Sequence, residues 1–312
     1  MSQTPSTPAV RPVGHFSPCP IDWLWLNRLA LGKPTLLAGD AGIGKSLLAL
    51  DLCGRLSRGL LFPDGTPGPG PCNALILNSE DTLHDTTLPR LQSLGADLER
   101  VFVWNSDDPA FGDLPRLPSE MARLDQVLAQ TQARLLVIDP IKDFLDRGIN
   151  ANSDASVRRL ISPLARLAER RRCAPHLILH LNKAGSRQAL YRASGSVAWV
   201  AACRSAWLAA RDPKDPTRCI LAQLKNNLAA PQPSLAFAVH APDSAHAAVT
   251  WLGPSPLSAD QLAGAASHRR PPATPRDRAK DFLSQVLAGG PRTSRDIWPL
   301  AEEQGLTNST LQ

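Results

Sequence analysis

Short apolar runs alternate with longer amphipathic stretches along most of the chain. Residues 34–39 (PTLLAG), 73–78 (NALILN), 101–104 (VFVW), 134–139 (RLLVID) and 176–181 (HLILHL) are apolar at nearly every position, the pattern of strands buried on both faces. Between them, apolar residues recur at three- and four-residue spacing and predict helices over 46–56, near 83–94, over 119–130 and over 155–171. Such alternation predicts an α/β fold with a mostly parallel central sheet flanked by helices, since parallel neighbours need a crossover connection. Further runs at 205–210, 219–224, 234–239 and 247–252 follow without long helices and predict antiparallel strands that extend the sheet.

Outside this region the pattern weakens. Residues 1–18 are rich in proline and small polar residues, which cannot build a core, and read as a flexible tail. In the stretch IDWLWLNRLALG, Trp23 and Trp25 alternate with Leu24 and Leu26, a pattern that favours packing over ligand binding. Residues 254–278 carry Pro, Ala, Ser and Arg in the proportions of a linker. Residues 279–312 then show a helix, a Gly-Gly-Pro break, a second helix and the start of a third, which resembles the opening of a winged-helix or helix-turn-helix unit. That unit stops at Gln312 before a recognition helix is complete, so it reads as partial.

Composition narrows the chemistry. A net charge of +6 and an isoelectric point near 9.2 suit a polyanionic partner. The cysteines Cys19, Cys53, Cys72, Cys173, Cys203 and Cys219 are scattered without metal-ligand spacing, which argues against zinc and for reduced thiols. No apolar run reaches membrane-spanning length, and a cytoplasmic protein is expected.

One motif is specific. Gly39-Asp40-Ala41-Gly42-Ile43-Gly44-Lys45-Ser46 fits GxxxxGK[ST] and lies between an expected strand and an expected helix. Glycines let backbone N–H groups curl around phosphates, Lys45 reaches the β- and γ-phosphates of ATP, and the Ser46 hydroxyl binds Mg²⁺. The run RLLVIDP ends an apolar strand at Asp139, the expected second Mg²⁺ residue. Pro140 follows it, so the general base must come from elsewhere. Glu80, just past the strand after the P-loop helix, is the expected base, with Asp81 the less favoured alternative.

Taken together, GDAGIGKS, NSED, LLVIDP, HLNKAG, RASGSVAWVAACRS and LKNN resemble the RepA-like hexameric helicases of plasmids, within the RecA and DnaB superfamily. The resemblance covers roughly residues 21–253 and implies a RecA-like core over 19–253. It implies that His180 senses the γ-phosphate or couples it to DNA. Arg204 matches the family's arginine finger, which reaches a neighbouring subunit's ATP. Lys225 and Asn227 match a second trans-acting or sensor element. The loops that such rings present to their pore are here 143–154 and 183–196. The second of these carries Lys183, Arg187, Tyr191 and Arg192, basic groups with one aromatic, as single-strand binding favours.

The expectation is therefore a ring-forming ATPase, a hexamer, that uses ATP and Mg²⁺ to translocate on or unwind single-stranded DNA. A RecA-like recombination or annealing ATPase and a regulatory ATP-dependent assembly switch remain as alternatives.

Overall fold

The computed structural model describes residues 10–105, 112–181, 197–240, 247–268, 275–287, 290, 292–304 and 306. They belong to two compact units, Met1–Ala263 and Gly264–Gln312.

The first unit is built on a nine-stranded sheet. A two-stranded antiparallel pair, β1 (Trp23–Trp25) and β2 (Leu29–Ala30), precedes it. The sheet strands are β3 (Thr35–Gly39), β4 (Ala74–Asn78), β5 (Val101–Asn105), β6 (Leu135–Asp139), β7 (Ala174–His180), β8 (Ser205–Arg211), β9 (Arg218–Asn226), β10 (Ser234–His240) and β11 (Ala248–Ser255). Their order is β11-β10-β9-β8-β3-β7-β6-β4-β5. From β8 to β5 every pairing is parallel, and β9, β10 and β11 continue antiparallel. The mostly parallel α/β core that the hydrophobic pattern predicts is the fold observed.

Each parallel strand is apolar on both faces because helices cover both. Leu37, Ile76, Val137 and Ile178 meet α1 (Lys45–Arg58) on one side. Leu36, Leu77, Leu136 and Leu177 meet α3 (Met121–Thr131), α4 (Asp154–Arg171) and α5 (Val197–Ala202) on the other. Each such buried Leu or Ile contributes about 1.5–3 kcal/mol. α2 (Leu88–Ser93) follows one π turn, Leu83–Thr87, where a single helix is expected near 83–94. On α4, Leu160, Leu164 and Leu167 are buried while Arg158, Arg159, Arg166, Arg170 and Arg171 stay exposed, so its arginines form a solvated face.

The N-terminal pair is anchored by a cation between rings. Trp25 stacks on Phe62 with centroids 5.1 Å apart, and its Nε1 donates to Asp64 at 2.9 Å. The buried Arg28 guanidinium lies between the Trp25 and Trp207 rings and pairs with Asp64 at 2.9 Å. Residues 10–20 are exposed and hold one short 3₁₀ turn, Val13–His15; residues 1–9 lie outside the described residues.

The stretch 254–278, expected as a linker, carries regular structure in most of its described residues. β11 runs to Ser255, and α6 (Ala259–His268) and the start of α7 (Pro275–Val286) occupy most of the rest. Ser258 and Gln261 cap α6 reciprocally, with Ser258 N–H donating to Gln261 Oε1 at 2.8 Å and Gln261 N–H donating to Ser258 Oγ at 3.3 Å. Leu262 and Ala263 are buried against Leu208, Ile220 and Ala236 of the antiparallel strands. Local capping and this apolar face outweigh the Pro- and Ala-rich composition.

In the second unit, α7 and α8 (Ser294–Glu303) share a small core of Ala279, Phe282, Ala301 and Leu306. The helix start expected after Gly305 lies outside the described residues.

Candidate functional site

Neighbouring parallel strands end side by side, and their register brings the chemistry together. Gly39 pairs with His180 and Asn78 with Asp139. The loop 40–44 turns from β3 into α1 with Gly42 at φ +70° and Gly44 at φ +90°. That left-handed backbone costs a residue with a Cβ about 1–2 kcal/mol. At Gly44 a Cβ would also meet Val239 Cγ2 at 2.7 Å.

Lys45 opens α1 and is buried. Its Nζ donates to Gly39 O at 2.9 Å, to Asp40 O at 2.7 Å and to His180 Nδ1 at 3.0 Å. Accepting from an ammonium leaves the His180 ring proton on Nε2. That nitrogen lies 3.4 Å from Glu80 Oε2, an electrostatic contact without hydrogen-bond alignment. Burial lowers the Lys45 pKa to about 8, against the opposing charges of Asp139, Asp40 and Glu80.

Asp139 is buried at the end of β6, and burial raises its carboxyl to about 6; Glu80 adds to the rise, while the Ser46 hydrogen bond, His180 and Lys45 oppose it. Its Oδ1 has no hydrogen-bond partner among the described residues. An orphaned buried carboxylate oxygen beside a serine hydroxyl is the oxygen-donor set that a hard divalent cation takes. Ser46 and Asp139 thus fit Mg²⁺.

Glu80 stands in a turn fixed from below. Asn78 Oδ1 accepts from the N–H groups of Glu80 at 2.8 Å and Asp81 at 2.9 Å. Ser79 N–H donates to Asp139 O at 3.2 Å, and Ser79 Oγ donates to Asp143 at 2.8 Å. Asp81 is paired with Arg90 at 2.7 Å, whereas Glu80 faces His180 with its side chain half exposed. Asn78 is not among the site residues expected from the sequence. A polar residue ending an apolar strand, two residues before an acid, is the signal that could have found it.

Three expected site residues lie elsewhere. Arg204 immediately precedes β8, whose first residue Ser205 pairs with Thr35 at the start of β3. That is the opposite edge of the sheet, about 15 Å along the strands from the P-loop. Arg204 is exposed and, among the described residues, has no carboxylate partner. Asn227 is at the same edge and donates its N–H to Arg204 O at 3.0 Å. Lys225, opposite Ala206, donates to the carbonyls of Val200, Ala201 and Cys203 at 3.0, 2.9 and 2.8 Å. Lys183, Arg187, Tyr191 and Arg192 lie outside the described residues.

All six cysteines are free, and no helix among the described residues is long and apolar enough to cross a membrane. A family model described as an AAA domain matches residues 3–186. The matched span includes Gly39–Ser46, Glu80, Asp139 and His180 and stops short of Arg204 and Lys225. No curated protein matches the chain.

Proposed function

The chain belongs to the AAA domain family and carries a P-loop ATPase domain, and from that premise we propose that it couples ATP hydrolysis to movement on single-stranded DNA as a hexameric ring of its own copies, in the manner of the RepA-like helicases it resembles. One observation carries the shared-site part of this reading. Lys45, Asp139, Glu80 and His180 gather at one edge of the sheet, while Arg204 is exposed at the other and, among the described residues, without a carboxylate partner. An arginine so placed cannot serve its own P-loop and is free to serve a neighbour's.

In this reading the loop amides and Lys45 hold the phosphates of ATP, exchanging the carbonyl and imidazole contacts of Lys45 for phosphate oxygens. Ser46 and Asp139 hold Mg²⁺, which when bound neutralises phosphate charge. Glu80 accepts a proton from the water that attacks the γ-phosphorus, and ADP departs with the bridging oxygen. His180 lies between Lys45 and Glu80 and so links phosphate contact to the base. Arg204 of the adjacent copy meets the charge that develops on the transferred group. For DNA, the support is the basic sequence carrying Lys183, Arg187, Tyr191 and Arg192 and the net charge of +6.

The test is the ATPase rate with and without single-stranded DNA, on protein whose mass is fixed by light scattering. Stimulation by DNA on a hexamer is expected. Turnover indifferent to DNA would leave the regulatory switch as the better account, and stimulation without unwinding would favour the annealing ATPase.

A further inference from the structure

Lys225 matches a second trans-acting or sensor element of the family it resembles, but its three donors are already committed. They go to the carbonyls of Val200, Ala201 and Cys203 at 3.0, 2.9 and 2.8 Å. Val200 and Ala201 lie in the last turn of α5, where backbone carbonyls lack intrahelical partners and the helix dipole favours a cation. Cys203 is the residue before Arg204, and its own N–H donates back to Trp199 O at 3.0 Å.

The backbone around Arg204 is held on every side. Cys203 O is held by Lys225, Arg204 O by the Asn227 N–H at 3.0 Å, and Ser205 enters β8 opposite Asn226. Asn226 is itself tied, donating to Asn27 O at 2.9 Å and accepting from Leu228 N–H at 3.0 Å. A side chain that is exposed and, among the described residues, without a carboxylate partner therefore projects from fixed backbone. Burial pushes the Lys225 ammonium below its ordinary range, and the like charges of Arg204 and Arg158 push it the same way. A cation kept beside two others needs compensation, and the three carbonyls supply it. Withdrawing the ammonium to reach a phosphate would orphan all three.

We propose that Lys225 is a positioning residue: by capping α5 it fixes the direction in which Arg204 leaves the sheet edge, and it does not itself touch nucleotide. The inference rests on the reading of Arg204 as acting on the adjacent copy's ATP. Displacement of a reacting group by about 1 Å costs about a hundredfold, so the cap bears on rate as well as on stability.

The experiment compares full-length Lys225→Met, Lys225→Arg, Arg204→Ala and the double variant Lys225→Met/Arg204→Ala in steady-state ATP hydrolysis, with amide hydrogen exchange at Asn227. Lys225→Met is expected to lower kcat by about ten- to hundredfold with the KM for ATP unchanged, and Lys225→Arg to recover most of it. The double variant is expected to be no slower than Arg204→Ala, because one residue acts through the other. Exchange at Asn227 should quicken in Lys225→Met and stay slow in Arg204→Ala. Losses that multiply in the double variant, a change confined to KM, or unaltered exchange at Asn227 would each overturn the proposal. Full hydrolysis by Arg204→Ala would instead overturn the reading of Arg204, and the exchange measurement would then decide the part played by Lys225 on its own.

Discussion

The two edges of the sheet are built on opposite electrostatic plans. At the C-terminal ends of the strands, Lys45, His180, Glu80 and Asp139 gather as charged or polar groups, of which Lys45 and Asp139 are buried. Burial displaces the pKa values of Lys45 and Asp139, with neighbouring charges adding to or opposing each shift, which is the mark of a functional site. At the N-terminal ends, Arg204, Lys225 and Arg158 form a cationic group in which, among the described residues, only Arg158 has a carboxylate, Asp154 at 2.8 Å. The first edge gathers carboxylates around Lys45, whereas at the second the exposed Arg204 leaves from backbone held by hydrogen bonds. Under the proposed reading, the two parts of the phosphate site come together when two copies meet edge to edge.

The contrast can be broken at its strongest point first. Lys45→Ala should abolish hydrolysis and weaken nucleotide binding, since Lys45 is the main side-chain charge on the phosphates. Nucleotide binding by equilibrium titration and turnover by phosphate release check this, and unchanged turnover would remove the P-loop from the account. Glu80→Gln should keep ATP binding and lower turnover by about a hundredfold or more, the range of a general base. A larger loss in Asp81→Asn would move the base to the carboxylate that now pairs with Arg90.

A smaller effect separates two histidines on the same face of β7. His180 contacts Lys45, whereas His176, four residues earlier, is fully buried with neither ring nitrogen hydrogen-bonded among the described residues. Burial holds His176 down at about 4 from the usual 6.5. Its depressed pKa means that the unfolded chain takes up the proton first. The stability at stake is fully present above about pH 6.5 and falls as pH drops toward 4, by up to about 3 kcal/mol. Denaturant unfolding across that range should show the slope, and His176→Leu should flatten it; an identical slope in the variant would assign the loss to other groups.

The C-terminal edge was largely legible in the sequence because its signals are local. GDAGIGKS, the strand ending at Asp139 and the acid at Glu80 each announce themselves within a few residues. The strands were legible because burial on both faces leaves an unbroken apolar run. What escaped depends on contacts distant in sequence. The burial of Arg28 between two tryptophans depends on Trp207, far along the chain, and Lys225 reads as a trans-acting or sensor residue until the end of α5 is placed beside it. α6 was hidden for another reason, since its capping pair Ser258 and Gln261 sits in a stretch whose composition resembles a linker.

Whether the two edges meet across copies is decided most directly by mixing two inactive proteins. Arg204→Ala alone should fold, bind ATP and lose hydrolysis by about a thousandfold or more, as such arginines do. Combined with Lys45→Ala under conditions where subunits exchange, it should regain activity, because a mixed assembly can set an intact P-loop against an intact Arg204. Neither protein can form that pair by itself. Recovered hydrolysis that rises and falls with the mixing ratio is the predicted result. Mixtures that demonstrably exchange subunits and stay inactive would contradict a site shared between copies.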